Sequence, residues 1–157
     1  MDTEFNHIGA STELAQPSPD RRYRVFEEAR ITIETDTDIV VARQRGRELA
    51  TRLGFSSSDL TLTATAISEL ARNIVQYAKR GEVTLRLIER NGREGIVVEA
   101  RDQGPGIADI RRVLEGGYST SRSLGLGLSG VKRLMDEFEI ESKVGQGTKV
   151  VTRKWRK

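Results

Sequence analysis

Alternating apolar and polar positions mark the first element. Through Val25, Ile31 and Ile33, residues 23–35 read as a strand, and their β-branched content supports it. The period then lengthens to that of a helix, which Asp36, Thr37 or Asp38 can cap and Gly54 stops after Leu53. Val40, Val41, Leu49 and Leu53 give this helix a core-facing stripe, while Arg43, Arg45, Arg47, Glu48 and Arg52 form a charged face that is solvated or docks a partner. A second helix starts at residues 56–58 and continues to about Arg80, with Gly81 as its stop and Leu60, Leu62, Ala66, Ile67, Leu70, Ile74 and Tyr77 as its packed side. Residues 83–90 and 96–102 alternate as two strands. Asn91 and Gly92 join them, a pair that tolerates the positive φ of a type I′ hairpin turn. A short helix over 107–114, a helix over about 126–136, a strand over 138–143, a turn at Gly145 to Gly147 and a strand over 148–155 complete the chain. This succession predicts a two-layer α/β sandwich with helices on one face of a mixed, mostly antiparallel sheet. Residues 1–22 hold two of the three prolines and no sustained periodicity; they read as a mobile N-terminal extension, leaving 23–157 as the domain.

Composition narrows the class. The 157 residues suit one domain with a core of its own, and the absence of cysteine excludes disulfides and thiolate metal sites. There is no run of about 18 apolar residues, and the N-terminus lacks a basic flank followed by an apolar core, so no membrane partner is expected and a cytoplasmic location is. The net charge is +3, but acidic and basic residues are interspersed. The densest basic cluster, Arg153, Lys154, Arg156 and Lys157 around Trp155, reads as a solvated edge. RNA modules stack bases on several aromatics, and this chain is 5% aromatic, so no nucleic acid is expected.

The candidate chemistry lies in four small blocks: S-E-L-A-R-N at 68–73, D-Q-G-P-G at 102–106, S-L-G-L-G-L at 123–128 and G-Q-G-T at 145–148. Each offers something a bound ATP needs. Glu69 and Asn73 are four apart in a helical pattern and so share a face. A carboxylate beside a carboxamide suits Mg²⁺, and Glu69 could instead take a proton from an attacking hydroxyl. Asp102, at a strand end, can accept from an exocyclic amine, and Gly104 and Gly106 let a flat ring approach the backbone, with Ile107 packing on it. Gly125, Leu126, Gly127 and Leu128 open a helix whose free N–H groups can hold phosphate oxygens. Thr148 closes the site with a hydroxyl. The glycine- and hydroxyl-rich stretch 116–124 reads as a lid over the phosphates or an ordinary loop, and Arg122 within it can neutralise phosphate charge.

In order and chemistry these blocks resemble the N, G1, G2 and G3 boxes of the GHKL ATPases, the group of the Hsp90, gyrase B, MutL and histidine kinase ATP-binding domains. The runs S-E-L-A-R-N-I, D-Q-G-P-G-I-A-D-I, Y-S-T-S and G-V-K-R-L-M-D-E-F are similar to the RsbT-type switch serine/threonine-protein kinases of bacterial stress signalling, over residues 31–155. The resemblance implies the Bergerat fold, ATP with Mg²⁺ on Asn73, and Glu69 orienting or deprotonating a serine of a partner. It also implies Ser119 and Thr120 in a lid over the nucleotide, a STAS-domain antagonist as substrate, and a PP2C-type phosphatase activated on release. An anti-sigma factor kinase that sequesters a sigma factor carries the same boxes and is the second reading. A plain ATPase or a detached histidine kinase domain is the third. Against it stand the short interval from Gly106 to Gly125 and the lack of a helical dimerisation segment around His7, the one histidine. Arg72 departs from the small or apolar residue that other GHKL branches carry before the Asn.

Overall fold

Six strands form one sheet in the computed structural model, which describes residues 6–9, 22–115 and 127–157. They are β1 (Asn6–Gly9), β2 (Arg24–Ile33), β3 (Gly81–Arg90), β4 (Arg93–Asp102), β5 (Glu137–Lys143) and β6 (Gly147–Trp155), in the spatial order β1-β5-β6-β4-β3-β2. The helices are α1 (Asp36–Arg52), α2 (Ser57–Asn73), α3 (Ile110–Leu114) and α4 (Gly127–Leu134). Every pairing between the described strands is antiparallel, so the expected two-layer sandwich holds without a parallel pair. The hairpin turn is as expected, with Asn91 and Gly92 both at positive φ (54° and 81°). Among the described residues no helix is long and apolar enough to cross a membrane.

The stretch read as an extension supplies the edge strand β1, whose four residues pair with β5 from Asn6↔Ser142 to Gly9↔Glu139. Pairing there satisfies backbone groups that an edge strand otherwise leaves open. Four residues are too few for a periodicity to register in the sequence.

The helix-facing side of the sheet, through Ile33, Val83, Leu85, Val98 and Ile140, meets α1 and α2 in the main core. In α1 the buried positions are Ile39, Ala42, Gly46, Leu49 and Ala50, whereas Val40 and Val41 are 38% and 45% exposed. Of the expected stripe, Leu49 and Leu53 are buried, while Val40 and Val41 lie out of phase with the core. The phase follows the small residues: a Cβ on Gly46 would run into Ile67 of α2, so the absence of a side chain there lets the two helices lie close. The cap also differs from expectation. Thr35, in extended backbone, accepts from the Asp38 N–H, and the Asp38 carboxylate accepts from the Thr35 and Glu34 N–H groups (3.1 and 2.8 Å). Asp38 thus closes a capping box rather than serving as the cap. Thr35→Ala should lower stability by about 1 kcal/mol, read as a shifted urea midpoint with an unchanged slope.

Ser56 caps α2, and Ala66, Ile67, Leu70 and Ile74 bury its inner side. After Asn73 the helix widens into a π-helical turn, Ile74–Ala78, and ends at Lys79 with φ 74° rather than continuing to Arg80. The wider turn carries Tyr77 out of the α-helical phase, and it is exposed rather than packed.

The C-terminal basic cluster is not a solvated edge. The alternation of β6 turns Arg153 onto the face away from the helices, where it is 1% exposed and donates to Glu137 and Glu139 (3.2 and 3.1 Å). Trp155 is buried there beside Tyr23. Lys154 turns the other way; its Nζ donates to the Leu134 carbonyl (2.8 Å) and faces Asp136 and Asp59. Both faces of this strand are covered, so charge in its sequence marks buried pairing; only Arg156 and Lys157 are exposed.

Candidate functional site

One end of the sheet, where β4 finishes and β3 and β6 begin, gathers most of the singled-out residues. Asp102 is the last residue of β4 and sits between Gly81 on one side and Thr148 on the other. Strand alternation places it on the helix-facing side, in line with Val98 and Ala100. Its Oδ1 accepts from the Gly104 N–H at 2.9 Å, which folds the D-Q-G turn back onto the carboxylate. Burial pushes the Asp102 carboxyl above the usual carboxylate range, and the Gly104 and Thr148 backbone N–H groups offset part of that rise.

The glycines around it answer to close backbone approach. A Cβ on Gly104 would crowd Ala78, the last residue of the π-turn, so the turn after Asp102 lies directly against the end of the helix that carries Asn73. Gly106, at φ 79°, passes against the Lys143 carbonyl, and the Pro105 carbonyl accepts from the Gly145 N–H at 2.7 Å. Gly147, at φ 122°, lies against the backbone oxygen of Asp102. Gly147→Ala therefore meets both a strained φ and a backbone atom that cannot move aside. It should cost more than about 1 kcal/mol in thermal melts and displace the Asp102–Thr148 pair.

A hydroxyl pair completes this end. Ser142 Oγ and Thr148 Oγ1 are 2.7 Å apart, and Ser142 Oγ also accepts from the Ile107 N–H at 2.8 Å. Ser142, fully buried, orients Thr148 and ties down Ile107. In the sequence it shows only as a lone hydroxyl in helix-facing register with Phe138 and Ile140, which does not by itself point to a site.

Glu69 lies on α2, one turn before Asn73, with its side chain only 8% exposed. Its Oε2 accepts from Arg72 Nη1 at 2.7 Å and its Oε1 from the Gly127 N–H, first residue of α4, at 3.4 Å. Asn73 is half-buried at the junction of α2 with the π-turn. Leu128 is buried in the core and anchors the start of α4. The structure thus brings Glu69, Asn73, Asp102, Gly104, Gly106, Ile107, Gly127, Leu128 and Thr148 to one region through successive contacts. Ser119, Thr120, Gly125 and Leu126, with the expected lid over 116–124, lie outside the described residues.

This arrangement offers a buried carboxylate at a helix N-terminus, a second carboxylate at a strand end, and a half-buried carboxamide one turn along the helix from the first. The free N–H groups and the dipole of a helix N-terminus both favour negative charge, and here the Glu69 carboxylate is the anion that faces them.

Comparison with known proteins agrees with these observations. The family described as "Histidine kinase-like ATPase domain" matches residues 33–154. The serine/threonine-protein kinase RsbT of Bacillus subtilis is 52% identical over 125 residues, covering 80% of this chain and 94% of that protein. The anti-sigma F factor of Caldanaerobacter subterraneus is 33% identical over 92 residues, 55% of this chain and 63% of its own length. Among solved structures, the RsbU and RsbW domains of a Mycobacterium tuberculosis protein match with a TM-score of 0.59 at 21% identity, over 84% of this chain and 34% of that one, a likeness of fold. With the family matched across most of the chain and a relative of this identity aligned over nearly its whole length, the chain belongs to the histidine kinase-like ATPase domain family, on the branch of the RsbT-type kinases.

Proposed function

We propose that the chain is an ATP-dependent serine/threonine-protein kinase that phosphorylates a STAS-domain antagonist protein and acts as a partner switch, activating a PP2C-type phosphatase once released. The observation that carries this reading is the buried Glu69 carboxylate facing the Gly127 N–H at the start of α4, where the phosphates of a nucleotide are expected. In the transfer, the hydroxyl oxygen of the acceptor bonds to the γ-phosphorus as the bond from that phosphorus to the β–γ bridging oxygen breaks, and ADP leaves. The hydroxyl proton passes to Glu69. Phosphoryl transfer asks the protein mainly for position and charge stabilisation, which a set this small supplies.

Asp102 accepts from the exocyclic amine of adenine, with Gly104 and Gly106 giving the ring access and Ile107 packing on it. Thr148, oriented by Ser142, adds a hydroxyl at the same end. Gly127 and Leu128, with Gly125 and Leu126, hold phosphate oxygens through backbone N–H groups, and Ser119 and Thr120 belong to the lid. The carboxamide oxygen of Asn73 is a hard, neutral donor that suits a Mg²⁺ ion arriving with the nucleotide and keeping most of its waters. Bound there, the ion would neutralise charge on the phosphates. Phosphorylation then places a charge of about −2 at the docking contact and opposes rebinding of the antagonist.

Intact-mass spectrometry tests the reading. The probe is a purified STAS-domain antagonist protein, incubated with this protein and Mg·ATP, with Asn73→Asp as the control. One added phosphate with the parent alone supports it, and no gain despite ATP binding removes it. The anti-sigma F relatives favour a second reading, a kinase that sequesters a sigma factor. Co-purification with a sigma factor rather than a phosphatase would select that one.

A further inference from the structure

We propose that Arg72 is a positioning residue for this transfer: it pins one oxygen of the Glu69 carboxylate and leaves the other as the proton acceptor. The inference rests on the kinase reading above. Glu69 and Arg72 are three apart in α2, so their side chains meet on one face of the helix. The carboxylate is 8% exposed and the guanidinium 39%, so the cation reaches in from the rim to a group that water scarcely touches.

A carboxylate this buried needs donors, and its two oxygens are served unequally. Oε2 takes a short, charge-assisted bond of 2.7 Å from Arg72 Nη1. Oε1 has a long bond of 3.4 Å from Gly127 N–H. That amide belongs to the helix start at which phosphate oxygens are expected, and a bond this long is weak and readily exchanged for one to a phosphate oxygen. Nucleotide binding therefore takes the amide from Oε1 and leaves that oxygen free, while Oε2 stays fixed.

The terminal torsion of a Glu side chain is broad, so a carboxylate without a partner samples many orientations. In-line attack tolerates little of this: the hydroxyl proton must leave for an oxygen in a set place while its own oxygen bonds to the γ-phosphorus and ADP departs. Arg72 touches none of the reacting atoms in this scheme and acts through Glu69.

The test compares single-turnover phosphorylation of the same STAS-domain protein by the parent, Arg72→Gln, Arg72→Lys, Glu69→Gln and the Arg72→Gln/Glu69→Gln double variant. Calorimetric ATP affinity and thermal midpoints are measured for each. Arg72→Gln should slow transfer roughly 10- to 100-fold at unchanged ATP affinity and midpoint. Arg72→Lys should recover part of the rate, and Arg72→Gln should cost nothing further once Glu69 is Gln. Parent-like transfer by Arg72→Gln overturns the proposal, as does a loss that follows ATP affinity. An undiminished loss in the Glu69→Gln background also overturns it, since Arg72 would then act on the phosphate directly. Absence of transfer by the parent would instead overturn the kinase reading, and this inference with it.

Discussion

Asp102→Asn should give a folded protein that no longer binds ATP. The carboxylate is partly withdrawn from water, and its carboxyl is raised above the usual range by that burial. A raised folded-state pKa contributes stability below the unfolded value, and that contribution is lost as pH rises through the folded one. Once ionised, Asp102 therefore weighs against the empty fold. Asparagine removes the charge while its carboxamide oxygen still accepts from the Gly104 N–H, so the thermal midpoint at pH 7 should be unchanged or higher. The ligand loses far more. A carboxylate oxygen facing an exocyclic amine is replaced on one side by an NH₂ group, which cannot accept, and a mismatched buried pair of this kind costs on the order of 100-fold or more in affinity. Calorimetry showing equal ATP affinity for the variant and the parent would take Asp102 out of base recognition.

Glu69→Ala should separate binding from transfer. The substitution removes a negative charge from the N-terminus of α4, where it shares the Gly127 N–H with the expected phosphates, so ATP affinity should be equal or tighter. Loss of a positioned base typically lowers such rates by about 10²- to 10⁴-fold. Arg72 loses its partner but lies at the rim, where water can take over, so the fold should tolerate the change. Phosphorylation of the antagonist at the parent rate would remove Glu69 from the chemistry.

Local chemistry made most of the site legible in the sequence. Glu69 and Asn73 announced themselves by spacing, and Asp102 by ending an alternating strand in a glycine turn. What escaped depended on the partner of each element. Ser142 is an ordinary strand residue until β6 brings Thr148 beside it, and only then does its hydroxyl connect Thr148 to Ile107. The order of the elements was readable because their periods are long and clean. The phase of α1 was not, since Val40 and Val41 look as apolar as Ile39, and the choice between them is made by the close approach of α2 at Gly46. The C-terminal cluster misled through composition: four basic residues within positions 153–157 suggest a wet edge, yet Arg153 pairs with Glu137 and Glu139 of β5, and Lys154 faces Asp136 and, from α2, Asp59. The π-turn after Asn73 carries no sequence mark at all, since its departure from α-helix shows only in how the chain closes on Gly104.

The pairing of Asp102 with Thr148 also has a bearing on how the molecule comes into being. The two residues stand 46 positions apart, and the central strand β4 joins β3 from its own hairpin but β6 from the far end of the chain. Hairpins close early, whereas contacts between distant segments must wait for a large loop to be ordered. On the proposed reading the base-binding end of the site therefore cannot form before β6 has docked on β4, so a chain emerging from the ribosome should gain affinity for nucleotide only after Thr148 and the strand that follows it have been made.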